Sequence, residues 1–70
     1  MIILYSTGCP NCEKLKLLLN KKNISYVENN SIDEMLALGF NRVPVLSVDD
    51  VNMSYNDAKK WIEENGKGEN

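Results

Sequence analysis

The stretch Thr7-Gly8-Cys9-Pro10-Asn11-Cys12 leaves this chain few ways to fold, because of what stands on either side of it. Before it lies an apolar run, Met1 to Tyr5, and after it Glu13 to Lys22, which reads as a helix. A strand passing directly into a helix puts Cys9 at the helix N-terminus, where backbone N–H groups lack partners and the macrodipole is positive. A thiolate gains from that position and a thiol does not, so the Cys9 pKa is expected below the free value of ~8.5. Pro10 suits the first helical position, where its missing N–H is wanted by nothing. Cys12 falls one turn on, roughly 5–6 Å away between Cβ atoms, which is close to what a disulfide needs. The two cysteines read as a dithiol that can open and close, with the outer sulfur activated.

The rest of the chain supplies a frame for that dithiol. Ile2 to Ser6 is expected to be a central strand, and a first helix runs from about Pro10 to Lys21 with Cys12, Leu15, Leu18 and Leu19 on one side. Leu17 points away from that stripe. Asn23 ends the helix, and Ile24 to Glu28 is expected to be a short strand with Ile24 and Tyr26 on one face. Ser31 opens a second helix with the Ser-x-x-Glu capping pattern completed by Glu34. Ile32, Met35 and Leu36 share one face of it, and Gly39 ends it in the left-handed region. Val45 to Val48 and Val51 to Met53 are two strands joined by a turn at Asp49-Asp50. Ser54, with Asp57 in the reciprocal place, is expected to cap a third helix whose apolar face is Tyr55, Ala58, Trp61 and Ile62, stopped by Gly66. The expected class is α/β, in the order β-α-β-α-β-β-α: a four-stranded mixed sheet with helices on both faces, the first two strands parallel and the last two an antiparallel hairpin. Chemistry in such sheets gathers beyond the carboxyl ends of the strands, which is where Cys9 falls.

With 70 residues the chain makes one small domain, residues 1–66, with 67–70 as a frayed tail. At 43% hydrophobic it has enough for a core, though a core of that size has little stability to spare. A net charge of −2 with no basic cluster argues against nucleic acid. No apolar run approaches the length that spans a membrane, and the start does not read as a signal peptide, so the cytoplasm is the expected compartment. Thiols there are kept reduced, and a short C-x-x-C is more often catalytic or metal-binding than structural.

The chain resembles the glutaredoxins, of the thioredoxin fold, over nearly its whole length. The likeness rests on Cys9-Pro10-Asn11-Cys12 after the first strand, on Val43-Pro44 before the third, and on the element order. It implies thiol–disulfide exchange with Cys9 as nucleophile and Cys12 as resolving thiol, with Gly8, Pro10, Asn11 and Pro44 shaping the site. It implies a cis Val43–Pro44 bond facing the sulfurs, with the Val43 backbone pairing with bound peptide or glutathione. It also implies that the chain binds no cofactor and that electrons come from glutathione or a flavoprotein reductase. Departures from the family pattern bear on that donor. Ser6 stands where glutathione-using members often have lysine, Arg42 where they usually have threonine, and Met53-Ser54 near their Gly-Gly pair. Asn11 replaces the commoner aromatic residue. Arg42, Val43, Asn56 and Asp57 are the candidates for holding glutathione or substrate. Gly39-Phe40 followed by a short polar step to Val43-Pro44 looks more like the glutaredoxin-like redoxins that serve ribonucleotide reductase and are reduced by thioredoxin reductase. The expected molecule is a monomer whose partners are a disulfide-bearing protein and its reductase, with no nucleic acid and no membrane.

The cysteines alone leave other readings open. A static disulfide would close too small a loop to stabilise much. Zinc wants four ligands, and the chain has two cysteines and no histidine. Two chains could share a metal or an iron–sulfur cluster through their Cys9–Cys12 pairs, which would make the protein a binding module and not an enzyme.

Overall fold

The computed structural model describes residues 1–66, and the expected tail, 67–70, lies outside the described residues. Seven elements follow in the order β1 (Ile2–Tyr5), α1 (Pro10–Lys21), β2 (Val27–Asn29), α2 (Ile32–Ala37), β3 (Val45–Val48), β4 (Val51–Met53) and α3 (Tyr55–Asn65). The fold is α/β, with one four-stranded mixed sheet in the order β2-β1-β3-β4. β1 lies inside the sheet, parallel to β2 and antiparallel to β3, and β3 and β4 form an antiparallel hairpin. The turn at Asp49 and Asp50 has positive φ at both residues (49° and 71°), the sign that a two-residue hairpin with matching twist requires. Among the described residues no helix is long and apolar enough to cross a membrane.

Alternation along the two central strands divides the core. Leu4 and Leu46, opposite each other in the ladder, pack with Leu15 and Leu19 of α1 and Ala58 and Ile62 of α3. Their neighbours Tyr5 and Val45 face the other way and meet Met35 of α2. Tyr5 packs edge-on against Phe40 with ring centroids 5.1 Å apart. Leu17 is exposed on α1, as its helical phase requires.

Helix ends explain where the structure departs from the sequence reading. Past α1 the Asn23 N–H donates to the Asn20 carbonyl (3.1 Å) and the Ile24 N–H to the Leu19 carbonyl (2.9 Å), with Asn23 at φ 58°. These two bonds make a Schellman cap with asparagine in the left-handed position. They use the Ile24 N–H that a strand would need, so β2 is not Ile24 to Glu28 but Val27–Asn29. Ile24 and Tyr26 pack on the Leu4 core as loop residues. The same device closes α2: the Gly39 N–H donates to Leu36 and the Phe40 N–H to Met35, both at 3.0 Å, with Gly39 at φ 85°.

At the start of α2 the Glu34 N–H donates to Ser31 Oγ (3.2 Å), but the return half of the capping box is not made. The Ser31 N–H donates instead to Asn29 Oδ1 (2.8 Å), and the Glu34 carboxylate accepts from Asn29 Nδ2. The apolar residues of α2 line one groove together, but they are not equally covered. Met35 is buried, whereas Ile32 is 59% and Leu36 67% exposed. Ser54 occupies the N-cap of α3 with extended backbone, yet its side chain makes no capping bond. Gly66 ends α3 at φ −68°, not in the left-handed region. The position is instead short of space: a Cβ there would stand 2.5 Å from Lys22 Cβ, where the end of α3 meets the end of α1.

A polar cluster ties the β1–α1 connection to β2. Ser6 is fully buried, and its hydroxyl donates to Glu28 Oε2 (2.8 Å). Lys16 Nζ (2.9 Å) and Asn30 Nδ2 (3.1 Å) donate to the same oxygen, and Asn30 also donates to the Ser6 carbonyl (3.0 Å). Lys16, Ser6 and Asn30, in that order, hold the Glu28 carboxyl down at about 2. A carboxyl lowered on folding adds stability that is present in full above its ordinary value of 4.5 and is lost as the pH falls toward about 2. The Glu28 side chain is 30% exposed, so solvent screening brings the contribution to about 1–2 kcal/mol. Glu28→Gln is therefore expected to flatten the stability profile between those two pH values, read by urea titration at a series of pH. A variant profile parallel to that of the parent would show that the cluster contributes nothing.

Candidate active site

The Tyr5↔Val45 pairing brings the loop after β1 and the loop before β3 to one end of the sheet. The first carries Thr7 to Cys9, the second Arg42 to Pro44. Gly8 turns the first loop with φ 86°, a conformation that favours glycine. Cys9 then takes the N-cap of α1 with extended backbone, and Pro10 takes the first helical position. The Cys9 sulfur is the capping atom: it accepts from the Cys12 N–H at 3.2 Å. Cys9 is half-buried and Cys12 fully buried, and both are free thiols. One sulfur faces outward at the end of the helix and the other lies beneath it, one turn in.

The local electrostatics correct the expectation of a lowered Cys9 pKa. Burial pushes the thiol up from its ordinary value of 9.0, and the neighbouring Cys12 thiol pushes it further. The N–H groups of Cys12 and Asn11 pull the other way without reversing the balance. In the dithiol form burial, and after it the second thiol, outweigh the helix end. Removing that thiol should shift the balance, so Cys12→Ala is expected to move the pH midpoint of Cys9 alkylation downward. With a raised pKa, alkylation of the parent protein should climb with pH through a midpoint above 9.0. Rates of iodoacetamide modification against pH measure both, and an unmoved midpoint in the variant would show that Cys12 does not set the Cys9 ionisation.

Most of the residues expected at the site come together. Asn11, Arg42, Val43, Pro44 and Asn56 line one cleft of about 390 Å³, joined by Ser54 and Tyr55. Pro44 is buried, and the Val43–Pro44 bond is cis, as the family likeness implied. Asp57 is not among the lining residues and sits in the first turn of α3. On the other side of Cys9, Gly8 and Thr7 line a second cleft with Lys16, Glu28, Asn30 and Ile32. Sequence reasoning missed this polar side. Ser6 offers no cation there, and Lys16 reaches the same corner from α1, where its ammonium is matched by Glu28 at 2.9 Å and Glu13 at 3.3 Å. The one available signal was the i,i+3 pair Glu13–Lys16 beside the cysteines, which points Lys16 along the helix toward them. Among the described residues no group of three or more histidine, cysteine or carboxylate side chains could hold a metal ion.

The chain matches no protein-family model and no curated protein sequence.

Proposed function

We propose that this chain is a small dithiol oxidoreductase of glutaredoxin type, built on a thioredoxin-like fold. The observation that carries the reading is the pairing of a half-buried Cys9 at the N-cap of α1 with a buried Cys12 one turn behind it. The sheet order β2-β1-β3-β4 and the buried Pro44 in the neighbouring cleft support it.

The exchange runs in two balanced steps. The Cys9 thiolate attacks one sulfur of a substrate disulfide; a Cys9–substrate bond forms, the substrate bond breaks, and the departing thiolate takes up a proton. Cys12, having lost its proton, then attacks the Cys9 sulfur, forms the Cys9–Cys12 disulfide and releases the second substrate thiol. The substrate gains two electrons and the protein loses them. A raised pKa leaves less thiolate at neutral pH but makes each thiolate more nucleophilic, and the Cys12 and Asn11 N–H groups favour the ionised sulfur. The second step is intramolecular, which keeps the mixed disulfide short-lived.

The donor that resets the disulfide is, in this reading, a flavoprotein of the thioredoxin-reductase kind. A glutathione site must hold two carboxylates and an amine, through charge-assisted hydrogen bonds each worth roughly 1.5–3 kcal/mol. Ser6 is buried and spent on Glu28, and Lys16 is matched by two carboxylates, so among the described residues lining the two clefts Arg42 is the cation left. The substrate is a protein disulfide, of the kind presented by ribonucleotide reductase in the redoxin subgroup, and a reducing cytoplasm suits a free dithiol. Oxidised protein should be re-reduced efficiently by NADPH with thioredoxin reductase and poorly by glutathione with glutathione reductase. Efficient turnover only with glutathione would overturn the choice of donor, and no turnover in either system would overturn the oxidoreductase reading.

A further inference from the structure

We propose that the groove between α2 and the Phe40–Val43 segment is a subsite for one apolar side chain of a polypeptide substrate, two or three residues from the disulfide cysteine that Cys9 attacks. The groove is about 240 Å³ and is lined by Ile32, Met35, Leu36, Phe40 and Val43. Its lining is mainly apolar. Met35 supplies the buried contact of α2, while Ile32 and Leu36, one turn apart on the same face, stand 59% and 67% exposed. A domain with so few buried apolar residues leaves two large ones in water along this groove, and such a patch marks a contact surface.

Its position says what the contact is. Thr7 forms part of the groove wall and stands two residues before Cys9, so the two Cα atoms are at most about 7 Å apart. Arg42 and Val43 line both this groove and the cleft with Asn11, Pro44 and Tyr55. An extended chain that crosses Val43 with its cysteine over Cys9 therefore carries a neighbouring side chain into the groove, since side chains of an extended segment leave it at fixed intervals. Glutathione has two carboxylates and no apolar side chain, so the groove offers it nothing. The subsite selects protein disulfides flanked by an apolar residue, and it rests on the oxidoreductase reading above.

The test measures the rate of the first exchange between reduced protein and three probes. Two are peptide disulfides alike except for leucine or serine two residues from the cysteine, and the third is hydroxyethyl disulfide. The leucine peptide is expected to react about tenfold faster than the serine peptide, the scale on which a hydrophobic pocket discriminates. In the Ile32→Ser, Leu36→Ser double variant that ratio should fall to near one. Equal rates for the two peptides with the parent protein would overturn the subsite whatever the variant does, and so would a ratio that survives in the variant. In either case reaction with hydroxyethyl disulfide would leave the oxidoreductase reading standing. No exchange with any of the three would overturn both. A parent dimer that dissociates in the variant would assign the patch to a second copy of the chain and likewise overturn the proposal.

Discussion

Cys9→Ser is expected to abolish disulfide exchange, by on the order of a thousandfold or more, while Cys12→Ser keeps the first attack and stalls after it. The difference follows from burial. The Cys9 sulfur is reachable at the end of α1, and Cys12 is fully covered one turn inside. A hydroxyl at position 9 is not an effective nucleophile at neutral pH, and the only other cysteine of the chain, Cys12, is buried. A hydroxyl at position 12 leaves Cys9 able to attack but removes the group that releases the product. Cys12→Ser should therefore accumulate a mixed disulfide on Cys9, visible by mass spectrometry of the intact protein after incubation with a peptide disulfide. If Cys9→Ser accumulates the adduct and Cys12→Ser does not, the two roles are reversed.

Leu46→Ala should cost about 3–5 kcal/mol, roughly half of the stability of the domain. Leu46 lies in the middle of the sheet, paired with Leu4 on one side and Met53 on the other, and it is fully buried against α1 and α3. Truncating it opens a cavity between three elements that cannot all move in to fill it. A domain of 70 residues, at roughly 0.05–0.15 kcal/mol per residue, has about 4–10 kcal/mol in all. Leu17→Ala on the exposed side of α1 is the control, expected to stay within about 0.5 kcal/mol of the parent. Urea unfolding measures both. A Leu46→Ala loss below about 1 kcal/mol would mean that the core is not centred on this sheet face.

The parts of the molecule legible in the sequence are those decided by neighbours along the chain. The position of Cys9, the start of α1 at Pro10, the phase of Leu15 and Leu19, and the hairpin at Asp49-Asp50 all follow from local patterns. What was hidden depends on partners brought by the fold. Ile24 and Tyr26 have strand-forming side chains, but a cap formed with Leu19 and Asn20 takes the backbone of Ile24 first. Glu34 was expected to return a bond to Ser31, and Asn29 arrives there instead. Ile32, Met35 and Leu36 share a face by their spacing, but how deep that face lies is set by the fold: α2 is six residues long and buries only Met35. The expected ionisation of Cys9 weighed the helix end without the burial of the sulfur, the larger effect, or the second thiol. Ser6, Lys16 and Glu28 carry no sequence signature as a group, since each comes from a different element.

The burial of Cys12 also bears on oxidative damage. A peroxide diffusing to this site meets the Cys9 sulfur, because the Cys12 sulfur has no exposed surface. Two-electron oxidation turns the Cys9 thiol into a sulfenic acid and the peroxide into water or an alcohol. The Cys12 thiol, one helical turn away and already facing that sulfur, condenses with the sulfenic acid to give the disulfide and a molecule of water. That reaction precedes a second encounter with peroxide, the one that would carry Cys9 to the irreversible sulfinic acid. A thiol hidden from solvent in this way keeps oxidant stress within the dithiol and disulfide states that the proposed exchange would use.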